Sequence, residues 1–340
     1  MEGGDDDADE VVDSSSSDEE DDEDDDETVV KYRRTYKDFI NQKGQRAVPL
    51  TAADYHHKSR MLAVGHSNGD FALFEVHWAA DAAAQGSLIE MQRLSMDGWD
   101  GAIGQLRLSP RGDWLAIGGE HGGLTVWEWQ SQNYVMEQKT QGHQVQCASY
   151  SPCGTKLITG ASDGACKVWS ALTGFCIVTF KNHTAPVTGV TWLRSGLAFA
   201  SAAKDGTVRV YDLRRYRNFR TLTTPRAQRL AAVSCDAGGE LVAAAGGDSG
   251  SIFVWSIRTG RLLDEFANHE ASCVRVAFSP IASRLLSCSW DGSAVITDFA
   301  NQEQIERETL ENSSDMLDAV WRPDGQQIAS ATLNGKIIFW

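Results

Sequence analysis

Seven times along this chain a glycine stands five residues before a position that is usually aromatic: Gly69/Phe74, Gly122/Trp127, Gly164/Trp169, Gly206/Tyr211, Gly250/Trp255, Gly292/Thr297 and Gly335/Trp340. The second members are separated by 53, 42, 42, 44, 42 and 43 residues. A period of roughly 40–45 residues closing on an aromatic is that of WD repeats, each one a blade of a β-propeller. The expected fold is therefore all-β: about seven four-stranded blades spanning 45–340.

One repeat shows the local chemistry. VQCASYS (145–151) alternates apolar and polar residues, Pro152-Cys153-Gly154 turns the chain, and KLITGAS (156–162) returns. Asp163-Gly164 then makes a tight turn into ACKVWS (165–170), because glycine accepts the positive φ that such a hairpin requires. FCIVTFK (175–181) supplies the outer strand. Within this unit His143, Thr159, Asp163 and Trp169 stand where WD repeats build a hydrogen-bonded tetrad. His183, Ser201, Asp205 and Tyr211 repeat the set, and so do His269, Ser287 and Asp291, with Thr297 in place of the aromatic. The three histidines fall on different blades, so they are structural and do not converge as ligands.

The net charge of −16 belongs to one segment. Residues 1–28 hold 17 acids and no Lys or Arg, so −16 set against those 17 leaves the remainder at +1. Asp18 to Glu27 are ten consecutive acids. Such a run repels itself and buries nothing, so 1–28 is expected to be a disordered tail. It reads either as a solubilising linker or as a binding tail for basic partners. Ser16 and Ser17 each precede an acid by three residues, as acid-directed kinases require. Residues 29–44, containing KYRRTYKDFINQKG (31–44), form a basic arm or a closing strand.

Several chemistries find no support. No apolar run reaches the 18 or more residues of a membrane span. The seven cysteines lie mostly in strand-like runs without a Cys-x-x-Cys, and read as reduced, mostly buried thiols. GHSNG (65–69) and GASDG (160–164) match the Gly-x-Ser-x-Gly nucleophile elbow. That elbow needs a helix after the turn, and both segments lead into alternating runs at equivalent places in two repeats. No metal-ligand spacing and no phosphate-binding loop occur. No enzyme activity, cofactor, metal or small-molecule substrate is expected.

One segment is rich in binding chemistry. Residues 208–229 carry Arg209, Arg214, Arg215, Arg217, Arg220, Arg226 and Arg229, interleaved with Tyr211, Tyr216 and Phe219. Arginine beside aromatics suits RNA and acidic protein surfaces equally, and a solvated outer strand is the plain alternative. Arg209, Arg214, Arg215, Tyr216, Arg217, Phe219, Arg220, Arg226 and Arg229 are the candidate interface.

GDWLAIGGEHGGLTVWEWQSQNYV (112–135), TGFCIVTFKNHTAPVTGVTW (173–192), DGTVRVYDLRRYRNFRTLTTPR (205–226) and IFVWSIRTGRLLDEF (252–266) resemble the periodic tryptophan protein 2 family, over roughly 31–340. The WEWQS (127–131) and YRNFRT (216–221) runs are the most distinctive pieces. The resemblance implies a non-catalytic nucleolar scaffold of the small-subunit processome. Its implied partners are other WD-repeat subunits, with pre-ribosomal RNA and a small nucleolar RNP nearby. The family carries a further propeller before its acidic linker and continues past the last blade, so this chain reads as a fragment covering the second propeller. Closure of the ring then depends on 31–44 for a strand. The competing expectations are a WD-repeat adaptor of another class, such as a ubiquitin-ligase substrate receptor, and, third, a hydrolase using Ser67 or Ser162.

Overall fold

The computed structural model describes residues 34–36, 50–56, 60–77, 87–95, 102–119, 123–131, 133–139, 143–281, 283–298, 306–311, 315–322, 325–333 and 337–339. The acidic tail, with Ser16 and Ser17, and most of the basic arm lie outside these residues. Among the described residues every regular element is a strand, and 28 strands form seven four-stranded antiparallel sheets.

β1 (Arg34–Tyr36) is set apart from its neighbours in sequence and returns below. The first blade is β2 (Leu50–Tyr55), β3 (Met61–His66), β4 (Asp70–His77) and β5 (Ser87–Ser95). The second is β6 (Ile103–Leu108), β7 (Trp114–Gly119), β8 (Gly123–Glu128) and β9 (Asn133–Lys139). The third is β10 (Val145–Tyr150), β11 (Lys156–Ala161), β12 (Cys166–Ser170) and β13 (Cys176–Phe180). The fourth is β14 (Val187–Trp192), β15 (Ala198–Ala203), β16 (Thr207–Asp212) and β17 (Arg217–Thr223). The fifth is β18 (Leu230–Cys235), β19 (Leu241–Gly246), β20 (Ser251–Ser256) and β21 (Leu262–Ala267). The sixth is β22 (Cys273–Phe278), β23 (Arg284–Ser289), β24 (Ser293–Asp298) and β25 (Glu306–Glu311). The last holds β26 (Met316–Trp321), β27 (Ile328–Thr332) and β28 (Ile337–Phe339). Its fourth strand is β1, which pairs with β28 at Arg34↔Phe339 and Tyr36↔Ile337.

The core lies between blades rather than within them, because each sheet is apolar on both faces and needs a neighbour on each side. Val208, Val210 and Leu222 of the fourth blade pack on Val242, Phe253 and Trp255 of the fifth. The same kind of cluster joins the ends of the described chain: Leu50, Val64 and Phe74 of the first blade pack on Val320, Ala331 and Ile337 of the last. The ring is therefore closed by apolar packing as well as by the β1–β28 pairing.

Hydrogen bonds between inner strands reinforce the packing. Thr51 Oγ1 donates to the Ile103 carbonyl at 2.6 Å, and Thr188 Oγ1 to the Leu230 carbonyl at 2.8 Å. Asp54 accepts from the Leu108 amide at 2.7 Å, and the Trp192 indole donates to the Ser149 carbonyl at 3.0 Å.

The turn glycines do more than allow a turn. Gly206 has φ +78°, and a β-carbon there would stand 2.7 Å from the Gln228 carbonyl oxygen before the next blade. Gly164 meets the His183 carbonyl oxygen in the same way, at 2.6 Å. The two Gly-x-Ser-x-Gly segments occupy equivalent places, at the ends of β3 and β11 and the turns after them, and each leads into a strand.

Outer strands repeat a second device. In five blades the ladder slips by one residue beside the repeat's aromatic, leaving Met91, Val135, Ile177, Phe219 and Leu263 unpaired. Each is exposed. A bulge at this point twists the free edge away from further strand pairing.

Candidate interaction surface

The histidine sets sit between the inner strands and the hairpin turns. In the fourth blade His183 is buried, with Nδ1 2.9 Å from Asp205 Oδ2 and Nε2 2.7 Å from Ser201 Oγ. Asp205 also accepts from the Thr184 amide at 3.1 Å, tying the entering loop to the hairpin. Burial pushes the His183 imidazole below its usual range, although Asp205 pulls the other way. Burial also raises the Asp205 carboxyl, but hydrogen bonds from Thr207 and His183 outweigh that and hold it low.

Tyr211 replaces tryptophan by packing. Its ring stacks on Phe199 with centroids 4.7 Å apart, while its buried hydroxyl, beside Ser201, has no partner of good geometry. In the sixth blade His269 bonds Ser287 and Ser293, each at 2.8 Å, with Asp291 at 3.6 Å. Thr297, at the aromatic position, accepts from Asn268 at 3.2 Å. The third blade keeps the Trp169 indole donating to Thr159 Oγ1 at 2.9 Å, and Asp163 accepts from the Ala165 amide. His143 is exposed there, so this blade does not bury its imidazole as the other two do.

The arginine segment divides. Strand alternation places Val208, Val210 and Leu222 against the fifth blade. Val210 pairs with Arg220, so Arg220 follows them and crosses the blade junction. It donates from Nε to the Ile257 carbonyl at 3.2 Å and from Nη2 to the Arg258 carbonyl at 2.7 Å. Arg209 lies on the opposite face, half-buried near His183, with a buried Nε. Arg229, at the other end of the blade, is committed to Asp248 through Nε at 2.9 Å and Nη2 at 2.6 Å. Arg226 is exposed in the loop before β18.

What remains together is the turn between β16 and β17 and the first residues of β17: Arg214, Arg215, Tyr216, Arg217 and Phe219, all exposed. Arg215 Nε approaches Asp212 at 4.0 Å, and no other of these arginines pairs with a carboxylate among the described residues. Phe219 is the bulge residue that other blades also expose, so its exposure follows from the architecture. Tyr216 is different: its φ is +49°. This is the left-handed region, which costs a bulky residue on the order of 1–3 kcal/mol.

A cavity of about 540 Å³ opens where inner strands meet hairpin turns, lined by Gln144, Lys204, Arg229, Gly247 and Trp290 among others. Arg229 is already neutralised by Asp248, so among the described lining residues only Lys204 offers a cation without a carboxylate partner. Among the described residues no cluster of His, Cys, Asp or Glu could hold a metal, and no helix is long and apolar enough to cross a membrane.

Comparison with known proteins gives two kinds of match. The WD domain, G-beta repeat, matches residues 260–298, and the anaphase-promoting complex subunit 4 WD40 domain matches 106–195. Far longer matches run to periodic tryptophan protein 2: the mouse homolog is 39% identical over 92% of this chain. Those of Arabidopsis thaliana and Saccharomyces cerevisiae are 37% and 36% identical over 89% and 90%.

Along about nine-tenths of its length this chain is similar to periodic tryptophan protein 2.

The resemblance carried by WEWQS and YRNFRT is thus found along nearly the whole chain. The chain spans about a third of the length of these relatives, 32% in each of the three. Propellers of this kind offer surfaces for protein–protein contact, and the turn at Arg214–Arg217 is exposed.

Proposed function

We propose that this propeller is a non-catalytic docking scaffold in the assembly of the small ribosomal subunit. It works in the nucleolus, within a processome subcomplex, against other WD-repeat subunits and close to pre-ribosomal RNA and a small nucleolar RNP. The observation that carries this reading is 36–39% identity to periodic tryptophan protein 2 across about nine-tenths of the chain. The physical arrangement fits it. A closed ring whose junctions are all packed changes shape little on binding, so its turns and edges present fixed positions to several partners at once.

A second reading, an adaptor of another class, draws on the match to the anaphase-promoting complex subunit 4 WD40 domain. That match is confined to residues 106–195, which hold strands of only the second, third and fourth blades. Isolating the tagged chain from cells and identifying what accompanies it separates the readings. Processome subunits and pre-ribosomal RNA are expected, and a preparation lacking both rules the first reading out.

A further inference from the structure

Tyr216 stands five residues after the buried aromatic Tyr211. In the third blade the residue five after Trp169 is Gly174, with φ +71°, and in the fifth the residue five after Trp255 is Gly260, with φ +74°. The turn therefore calls for a left-handed residue at this position, and two neighbouring blades meet the demand with glycine. The fourth blade puts a tyrosine there, at φ +49° and 57% exposed. Its side chain is held outward on a strained backbone, and packing does not explain its presence.

The same offsets show what surrounds it. Three and six residues after the aromatic the third blade has Leu172 and Phe175, 66% and 75% exposed. The fourth has Arg214 and Arg217 at those positions, and the fifth has Arg258 and Arg261, all exposed. Equivalent turns of three successive blades thus line up an apolar pair, a strained tyrosine between arginines, and a second arginine pair. Tyrosine and arginine are the side chains that most often dominate the energy of protein interfaces. The exposed Leu172 and Phe175 favour a protein over a nucleic acid, which would present phosphates to them.

We infer that Tyr216 is the anchor of a docking site for a partner protein whose surface offers an apolar pocket rimmed by carboxylates. Tyr216 fills the pocket, Leu172 and Phe175 extend the apolar contact, and Arg214, Arg217, Arg258 and Arg261 pair with the acids. The inference rests on the scaffold role proposed above and assigns one face to it.

The test uses Tyr216→Gly, which gives the fourth blade the residue its neighbours carry. The variant should melt at the same temperature as the unaltered chain or higher, because it removes strain and no core contact. A photo-crosslinking residue at Phe219 in the otherwise unaltered chain should join one partner polypeptide at an acidic segment. Tyr216→Gly should weaken capture of that polypeptide about 30-fold, the roughly 2 kcal/mol of an interface hot spot. Arg214→Glu/Arg217→Glu should weaken it further, with the other co-purifying subunits retained. Equal capture by Tyr216→Gly overturns the inference. So does a lowered melting temperature, or a crosslink only to RNA or to residues 1–28 of the chain itself. If the unaltered chain brings down no processome component at all, the scaffold reading fails instead.

Discussion

Arg220 of the fourth blade donates a hydrogen bond from Nε to the carbonyl oxygen of Ile257 in the fifth, at 3.2 Å. A residue that reads in sequence as part of a basic surface is thus a strap between blades. Replacing it by Met keeps the stem over Gly260 but removes this bond and the one to Arg258. Urea unfolding should show a loss of about 1 kcal/mol, since the bonds are partly exposed, with partner capture unchanged. Weakened capture at unchanged stability would return Arg220 to the interface.

Gly206 and Gly239 separate two reasons for a glycine. Both have positive φ, +78° and +74°, but only Gly206 faces the carbonyl of the next blade. Gly239→Ala meets nothing within 4 Å and should cost about 1 kcal/mol for backbone strain alone. Gly206→Ala adds a clash at the blade junction and should cost on the order of 3 kcal/mol or more. Equal costs in chemical denaturation would mean that the junction yields freely.

Burial holds His183 and His269 below the ordinary imidazole value of 6.5. Below pH 6.5 the unfolded chain takes up protons that the folded blades refuse, so acid favours unfolding. Stability should be level from pH 8 to about 6.5, fall as the pH drops further, and level again below the folded-state values. Melting curves of His183→Gln/His269→Gln should start lower and lack that slope. A slope that survives in the double variant would assign it to other groups.

Cys153 differs from the buried thiols. Hydrogen bonds from Ser151 and then Thr155 lower it to about 7, whereas burial raises Cys166 and Cys273 to about 12. At pH 7 iodoacetamide should alkylate Cys153 well before the buried thiols, which react only on unfolding. Thr155→Val should slow the labelling several-fold, as followed by peptide mass spectrometry. Labelling at the same rate in that variant would show that exposure alone governs it.

Much of this was readable in the chain. The spacing from Gly69 to Trp340 states the number of blades, and the Asp-Gly turns state where strands reverse. The nine candidate interface residues were read only as a run. A single bulge between Val210 and Tyr211 resets the alternation of β17, so the run could not show which arginines face solvent. Arg220 and Arg229 proved to be held by the blade junction and by Asp248, and Arg209 is half-buried on the opposite face. The signal at Tyr216 was present, since its offset from Tyr211 equals that of Gly174 from Trp169, but only φ shows that the turn is the same.

Period, turn chemistry and charge segregation are local properties, and the sequence by itself determined them: about seven repeats, hairpins at the glycines, and an acidic segment set apart from a neutral body. Ring closure and the division of the arginines were decided only in three dimensions. The pairing of Arg34 with Phe339 and the packing of Phe74 on Ile337 join residues some 260 to 300 positions apart. Arg220 finds its acceptors 37 and 38 residues on, in the next blade. A pattern that recurs every blade specifies each blade's two faces, but which groups meet across a junction depends on how neighbouring blades pack.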